Sequence, residues 1–150
     1  MRIVLQRVSE AAVRVDGEVI GQIGQGLLLL VGIEAADTLE DVKWLAHKVG
    51  NMRIFGDEYG AMNKSILDVQ GDALVISQFT LFAQTKKGNR PSFIRSARPE
   101  QAEPLYELFK SELGQVLGRK VESGRFGADM KVSLLNDGPV TICMDTANKE

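Results

Sequence analysis

The chain has 150 residues, 44% of them apolar, with 18 basic and 20 acidic side chains and a formal net charge of −2. That is enough apolar material for one compact domain with its own core, and so balanced a total charge makes no whole-molecule case for nucleic acid. One cysteine excludes an intrachain disulfide and suits a reducing cytosol, and a single cysteine with a single histidine cannot furnish a zinc site of the usual nitrogen and sulfur type.

From the N-terminus, RIVLQRV and AAVRV read as strands, and their regular polar interruptions leave no apolar signal-peptide region. Asp16-Gly17 in VDGEV predicts a hairpin turn into a strand, EVIGQI. GQIGQG then lies between two strands with no helix after it, so it is not a dinucleotide-binding fingerprint. LLLLVGI reads as a strand buried on both faces, and it is too short to span a bilayer. Asp37 or Thr38 is placed to cap a helix whose Val42, Leu45, Ala46, Val49 and Met52 share one face. His47 falls about 200° from Leu45 around that helix, which turns it to solvent.

FGDEYGAMN reads as a turn-rich loop, and ALVISQFTLF as a long strand. Alternation in that strand puts Ser77, Phe79 and Leu81 on one side and Gln78 and Thr80 on the other. The polar pair suits a cleft, and it equally suits the solvent face of a sheet. Residues 86–98 carry Lys86, Lys87, Arg90, Arg95 and Arg98 with no acid, a pattern that fits a solvated loop or a phosphate-binding patch. A second helix is predicted from Pro99 or Pro104 to Leu117, with Leu105, Leu108, Phe109, Leu113 and Val116 inward. RKVES, MKVSLL and PVTICMD complete the strands, with Cys143 packed as a small hydrophobe. GRFGADM alone is a glycine-assisted loop, and NDGPV alone is a turn. The Gly138-Pro139 bond is one at which the cis form lies within about 1 kcal/mol of trans.

The order of elements predicts a single α+β domain over residues 1–150, with a mostly antiparallel, barrel-like sheet and two principal helices. No Walker loop, HExxH or GxSxG occurs and no tight acidic cluster stands out, so neither metal nor cofactor is expected. A hydrolase on this chain lacks the usual histidine base for a serine or threonine nucleophile. Its chemistry must rest on backbone donors, neutral hydroxyls or a group of the substrate.

Taken together and in order, SQFTL at 77–81 and NDGPVT at 136–141 resemble the two signature motifs of the D-aminoacyl-tRNA deacylases. MRIVLQRV, KKGNRPSF and GRFGADM are similar to that family as well, so the resemblance spans the whole chain. It implies a cytoplasmic homodimer that hydrolyses the ester between a D-amino acid and the terminal adenosine of tRNA, each active site taking a Gly-Pro element from the partner subunit. Here that element is Gly138-Pro139, expected cis, whose main-chain carbonyls exclude the side chain of an L-amino acid. Glycine has no side chain to exclude, so glycyl-tRNA is an expected second substrate. The resemblance assigns the reaction to Ser77, Gln78, Phe79 and Thr80, with the ribose 2′-hydroxyl of the substrate assisting. Phe126 and Met130 are expected to shape the adenosine pocket and Arg7 to brace the Gly-Pro element. Lys86, Lys87 and Arg90 are expected to meet tRNA phosphates. The competing readings are a tRNA-binding module without catalysis and a purely structural dimer.

Overall fold

The first strand runs unbroken where the sequence suggests two. In the computed structural model, which describes residues 1–150, β1 (Arg2–Val15) continues through the exposed Ser9 and Glu10 because one long partner strand runs along its edge from Arg2 to Arg14. Asp16 and Gly17 make the expected turn with φ of 51° and 80°, the left-handed pair that a two-residue hairpin demands. The return leg is β2 (Glu18–Ile23) and β3 (Gly26–Gly32), both antiparallel to β1. At their joint a Cβ on Gly26 would lie 1.8 Å from the Asp72 carbonyl oxygen, so only glycine passes there.

Thr38 caps α1 (Leu39–Asn51): its N–H and hydroxyl donate to the Asp41 carboxylate at 2.8 and 3.0 Å. Asp37, the other candidate cap, instead accepts from the buried α-ammonium of Met1, which also donates to the Thr146 hydroxyl at 2.7 Å. Val42, Leu45, Ala46 and Val49 are buried and His47 is exposed, as the spacing predicts. Part of the expected loop after it is a small hairpin, β4 (Phe55–Gly56) with β5 (Met62–Lys64).

β6 (Asp72–Ser77) pairs parallel to β3, and β7 (Glu122–Ser123) parallel to β6. The sheet is therefore mixed, because the connection through α1 returns the chain in the direction of β3. Its order is β2-β1-β3-β6-β7, with β8 (Lys131–Asp145) on the other edge of β1. The ends nearly meet: a Cβ on Gly21 of β2 would lie 2.7 Å from the Ser123 carbonyl oxygen of β7. The expected barrel-like α+β architecture with two helices is what forms.

α2 (Pro99–Leu117) begins with proline at its first turn and ends at Gly118, whose φ is 66°. Its buried stripe is Ala102, Tyr106, Phe109, Leu113 and Leu117, while Leu105, Leu108 and Val116 flank it half-buried. The helix is rolled from the leucine stripe because the Tyr106 hydroxyl reaches the Val75 carbonyl of β6 at 2.9 Å. Burial pushes that phenol far above its ordinary pKa, so it remains a donor.

Leu27, Leu29 and Val31 join the core under the helices, while Leu28 joins Val8, Val13, Leu74 and Ile76 inside the curved sheet. That is the two-faced burial the LLLL run predicts. β8 is one strand where two were expected, and its outer edge is unpaired. Cys143 is exposed rather than packed, because alternation sends Ile142 and Met144 against the core and Cys143 outward. No helix is long and apolar enough to cross a membrane.

Candidate active site

The Gln78 N–H makes a 2.7 Å bond to the Val31 carbonyl, and the chain then leaves the sheet. Phe79–Phe82 wind into a 3₁₀ turn instead of extending the strand, so the expected alternation of Ser77, Phe79 and Leu81 does not hold. Winding buries Phe82 completely, with the Arg2 and Arg95 guanidiniums 4.7 and 5.5 Å from its ring centre, and leaves Phe79 59% exposed. The first bond of the turn runs from the Leu81 N–H to the Gln78 carbonyl at 3.3 Å. The preceding N–H groups, those of Phe79 and Thr80, therefore have no acceptor within the turn.

Three side chains fix this turn. The Gln78 amide donates to the Thr80 hydroxyl, Ser96 Oγ donates to the Phe79 carbonyl at 2.7 Å, and Arg2 donates to the Leu81 carbonyl at 3.1 Å. Arg2 is itself held by Asp145 at 2.8 Å. Burial pushes the Asp145 carboxyl up, but the bond from Arg2, a backbone donor at Ala147 and nearby positive charge together hold it below the ordinary carboxylate value.

The turn opens on a cleft of about 650 Å³. Ser77, Gln78, Phe79, Phe126 and Met130 line it together with Phe93, Ser96 and Arg98, whereas Thr80 does not. The Gly124 N–H bonds the Val75 carbonyl at 3.2 Å, and a Cβ there would fall 2.3 Å from the Met130 sulfur. Glycine thus lets the GRFGADM segment close over the cleft, and Tyr106 supports Phe126 with ring centres 5.8 Å apart. No histidine or cysteine lines the cleft, and its one carboxylate, Asp129, is 84% exposed and paired with Lys131 at 2.9 Å. The Thr80 hydroxyl faces an amide donor, which cannot take its proton.

Arg7, Gly138 and Pro139 lie elsewhere, around a second cavity of about 430 Å³ that shares no lining residue with the first. On β8, Thr141 stands opposite Gln6 and Asn136 opposite Val8, so residues 137–140 bulge out against Arg7 alone. Asn136 closes the neck of this excursion by donating to the Arg7 and Val140 carbonyls at 3.0 and 3.3 Å. Arg7 Nε meets the Asp137 carbonyl at 3.1 Å and its carboxylate at 3.2 Å, and the guanidinium also donates to the Ile54 carbonyl. The Gly138-Pro139 peptide, expected cis, is trans, as are all others in the chain. The reversal is taken instead by Gly138, whose φ of 115° only glycine adopts readily. A Cβ on Gly138 would sit 2.1 Å from an Arg7 guanidinium nitrogen.

Lys86, Lys87 and Arg90 are exposed on a loop closed by the Gln84–Ser92 bonds of 2.8 and 3.0 Å, outside the cleft. Arg95 pairs with Glu34 at 3.0 Å. Arg2 and Ser96 act on the turn without any signal in the local sequence, since their partners lie far along the chain. No group of three or more His, Cys, Asp or Glu is placed to hold a metal.

The family model described as D-Tyr-tRNA(Tyr) deacylase matches residues 4–145. A D-aminoacyl-tRNA deacylase of Akkermansia muciniphila is 64% identical, and one of Bacteroides thetaiotaomicron 62%, each over the full length of both chains. Among solved structures, a c-Myc DNA unwinding element binding protein is 41% identical with a TM-score of 0.90, covering 97% of this chain and 98% of that one. Another, described as "a probable eukaryotic D-amino acid tRNA deacylase", has a TM-score of 0.83 at 17% identity, covers 95% and 97% of the two chains, and shares the fold.

Proposed function

The chain belongs to the D-Tyr-tRNA(Tyr) deacylase family and is a hydrolase of D-aminoacyl-tRNA esters, and we propose that it works through main-chain donors and the substrate's own ribose 2′-hydroxyl rather than a side-chain base. The observation that carries this mechanism is the pair of Phe79 and Thr80 amides left without acceptors within their turn, beside a cleft that has no histidine or cysteine. Two unpaired N–H groups on successive residues suit the oxyanion that forms as water attacks an ester carbonyl. The neighbouring 2′-hydroxyl supplies the polar group that activates water or organises the leaving oxygen. Ser77, Gln78 and Thr80 keep the turn and substrate in register, and Phe126 and Met130 give the terminal adenosine apolar contact.

In this reading the site is completed by a second copy, whose Gly138-Pro139 excursion forms the missing wall. The separation of the two cavities in one chain and the unpaired outer edge of β8, with Leu135 58% exposed, support a homodimer. A wall of main-chain atoms excludes an L side chain without reading its identity, so many D-residues enter and glycyl esters enter too. Arg7 holds that wall in shape. The enzyme then removes mischarged esters in the cytoplasm, where aminoacyl-tRNA is used.

The test is deacylation of D-tyrosyl-tRNA and L-tyrosyl-tRNA by the purified chain. Rapid loss of the D-ester alone is expected. Tight binding with no loss of either ester would favour a tRNA-binding module, and neither binding nor turnover a structural dimer. For the phosphate contacts, Lys86→Gln with Lys87→Gln should weaken tRNA binding and reduce the slope of log K against log salt by about 1 to 2 units, near 0.7 to 0.9 per lost contact. An unchanged slope would make the loop a solvated turn.

A further inference from the structure

We infer that Phe79 and Phe93 form a stacking ledge at the cleft mouth for the unpaired base that precedes the terminal adenosine. The inference rests on the proposed function and adds a second nucleotide subsite to it. The two rings meet edge to face, with centres 5.2 Å apart and planes at 77°. Phe79 is 59% exposed, and next to Phe93 the side chain of Ile94 is 84% exposed. So much apolar surface at the rim of a cleft is costly unless something covers it.

The surroundings say what covers it. Of the five cations in 86–98 only Arg95 pairs with an acid; Lys86, Lys87, Arg90 and Arg98 pair with none, and Arg98 lines the same cleft. An exposed aromatic face with the unpaired Arg98 lining the same cleft, and three more unpaired cations on the loop that precedes Phe93, suits a single-stranded nucleic acid, the ring taking a base and the cations its phosphates. An apolar protein partner gains nothing from an uncompensated charge at the cleft mouth. The ledge is also held rigidly: Ser96 bonds the Phe79 carbonyl at 2.7 Å and the Phe93 carbonyl at 3.0 Å, through its hydroxyl and its N–H respectively. With the ester at the Phe79 and Thr80 amides and the adenosine against Phe126 and Met130, as proposed above, the ledge is left for the base before it.

The experiment compares three D-tyrosyl esters: on adenosine, on cytidylyl-(3′,5′)-adenosine, and on the same dinucleotide with an abasic first residue. With wild-type protein the cytosine should lower KM about tenfold relative to the abasic dinucleotide, with little change in kcat. Phe93→Leu, which keeps apolar bulk without a π-face, should lose that gain, and Phe93→Trp should keep it. Equal KM for the cytosine and abasic esters, or a full gain retained in Phe93→Leu, overturns the ledge. A Phe93→Leu chain that sediments at a smaller mass than wild type also overturns it, by assigning the surface to a second copy. Hydrolysis of the adenosine ester without any gain from the second base refutes the ledge alone. Hydrolysis of no ester, including that on whole tRNA, refutes the proposed mechanism and the ledge with it.

Discussion

A D-aminoacyl-tRNA whose terminal ribose lacks the 2′-hydroxyl should be deacylated about 10²- to 10⁴-fold more slowly, after correction for the ester's own spontaneous hydrolysis, while Thr80→Ala costs less than about tenfold on the natural substrate. The contrast follows from which groups are free to act. The Thr80 hydroxyl accepts a bond from the Gln78 amide, and no base stands beside it. Removing it loosens one anchor of the turn but leaves the Phe79 and Thr80 N–H groups in place, because those belong to the backbone. The cleft holds no histidine or cysteine to act in place of the 2′-hydroxyl, and its one carboxylate is largely exposed and already paired with Lys131. Single-turnover rates on the ribo and 2′-deoxy esters, with each protein, check both halves. A folded, tRNA-binding Thr80→Ala that is inactive would restore threonine as the nucleophile and remove the substrate-assisted scheme.

The second large effect is expected at the excursion on β8. Gly138→Ala should lower D-ester hydrolysis by about 10²-fold without unfolding the chain, since a displacement near 1 Å at a positioned group costs about that much. The new methyl would stand 2.1 Å from an Arg7 nitrogen, and alanine at a φ of 115° is strained in any case. Arg7 must then yield its contacts with Asp137 and Ile54, which hold the excursion in shape. The damage should appear in the partner's site rather than in the altered chain's own. Coexpressing Gly138→Ala with Phe79→Pro, which removes a cleft amide, tests this directly. A two-fold dimer built by exchange regains about a quarter of its sites, because half the dimers are mixed and each mixed dimer holds one intact pair. No recovery in the mixture would mean that each chain carries a complete site or that the excursion is not part of it.

Much of this was written locally in the chain. The Asp16-Gly17 turn, the doubly buried LLLL strand, the α1 stripe and the exposed His47 all follow from short-range periodicity and turn chemistry, which need no knowledge of distant residues. The composition already denied the chain a histidine-driven nucleophile, and the paired motifs pointed to the family. Where the reading failed, a distant partner had overruled local preference. ALVISQFTLF alternates like a strand, but Phe82 gains more by burial under Arg2 and Arg95 than by continuing the ladder. The leucines of α2 suggest one inward stripe, and the bond from Tyr106 to Val75 rolls the helix to another.

The sequence by itself determined the Asp16-Gly17 turn, the doubly buried LLLL strand and the α1 stripe, and it named Ser77 to Thr80 and Gly138-Pro139 as candidates. Only the tertiary structure decided that those residues form two separate groups, Ser77 to Phe79 at one cavity, with Thr80 just outside its lining, and Gly138 with Arg7 at another. The reason is physical: turn chemistry and periodicity act between near neighbours, whereas the position of a backbone N–H or a guanidinium is set by contacts from strands up to 143 residues away.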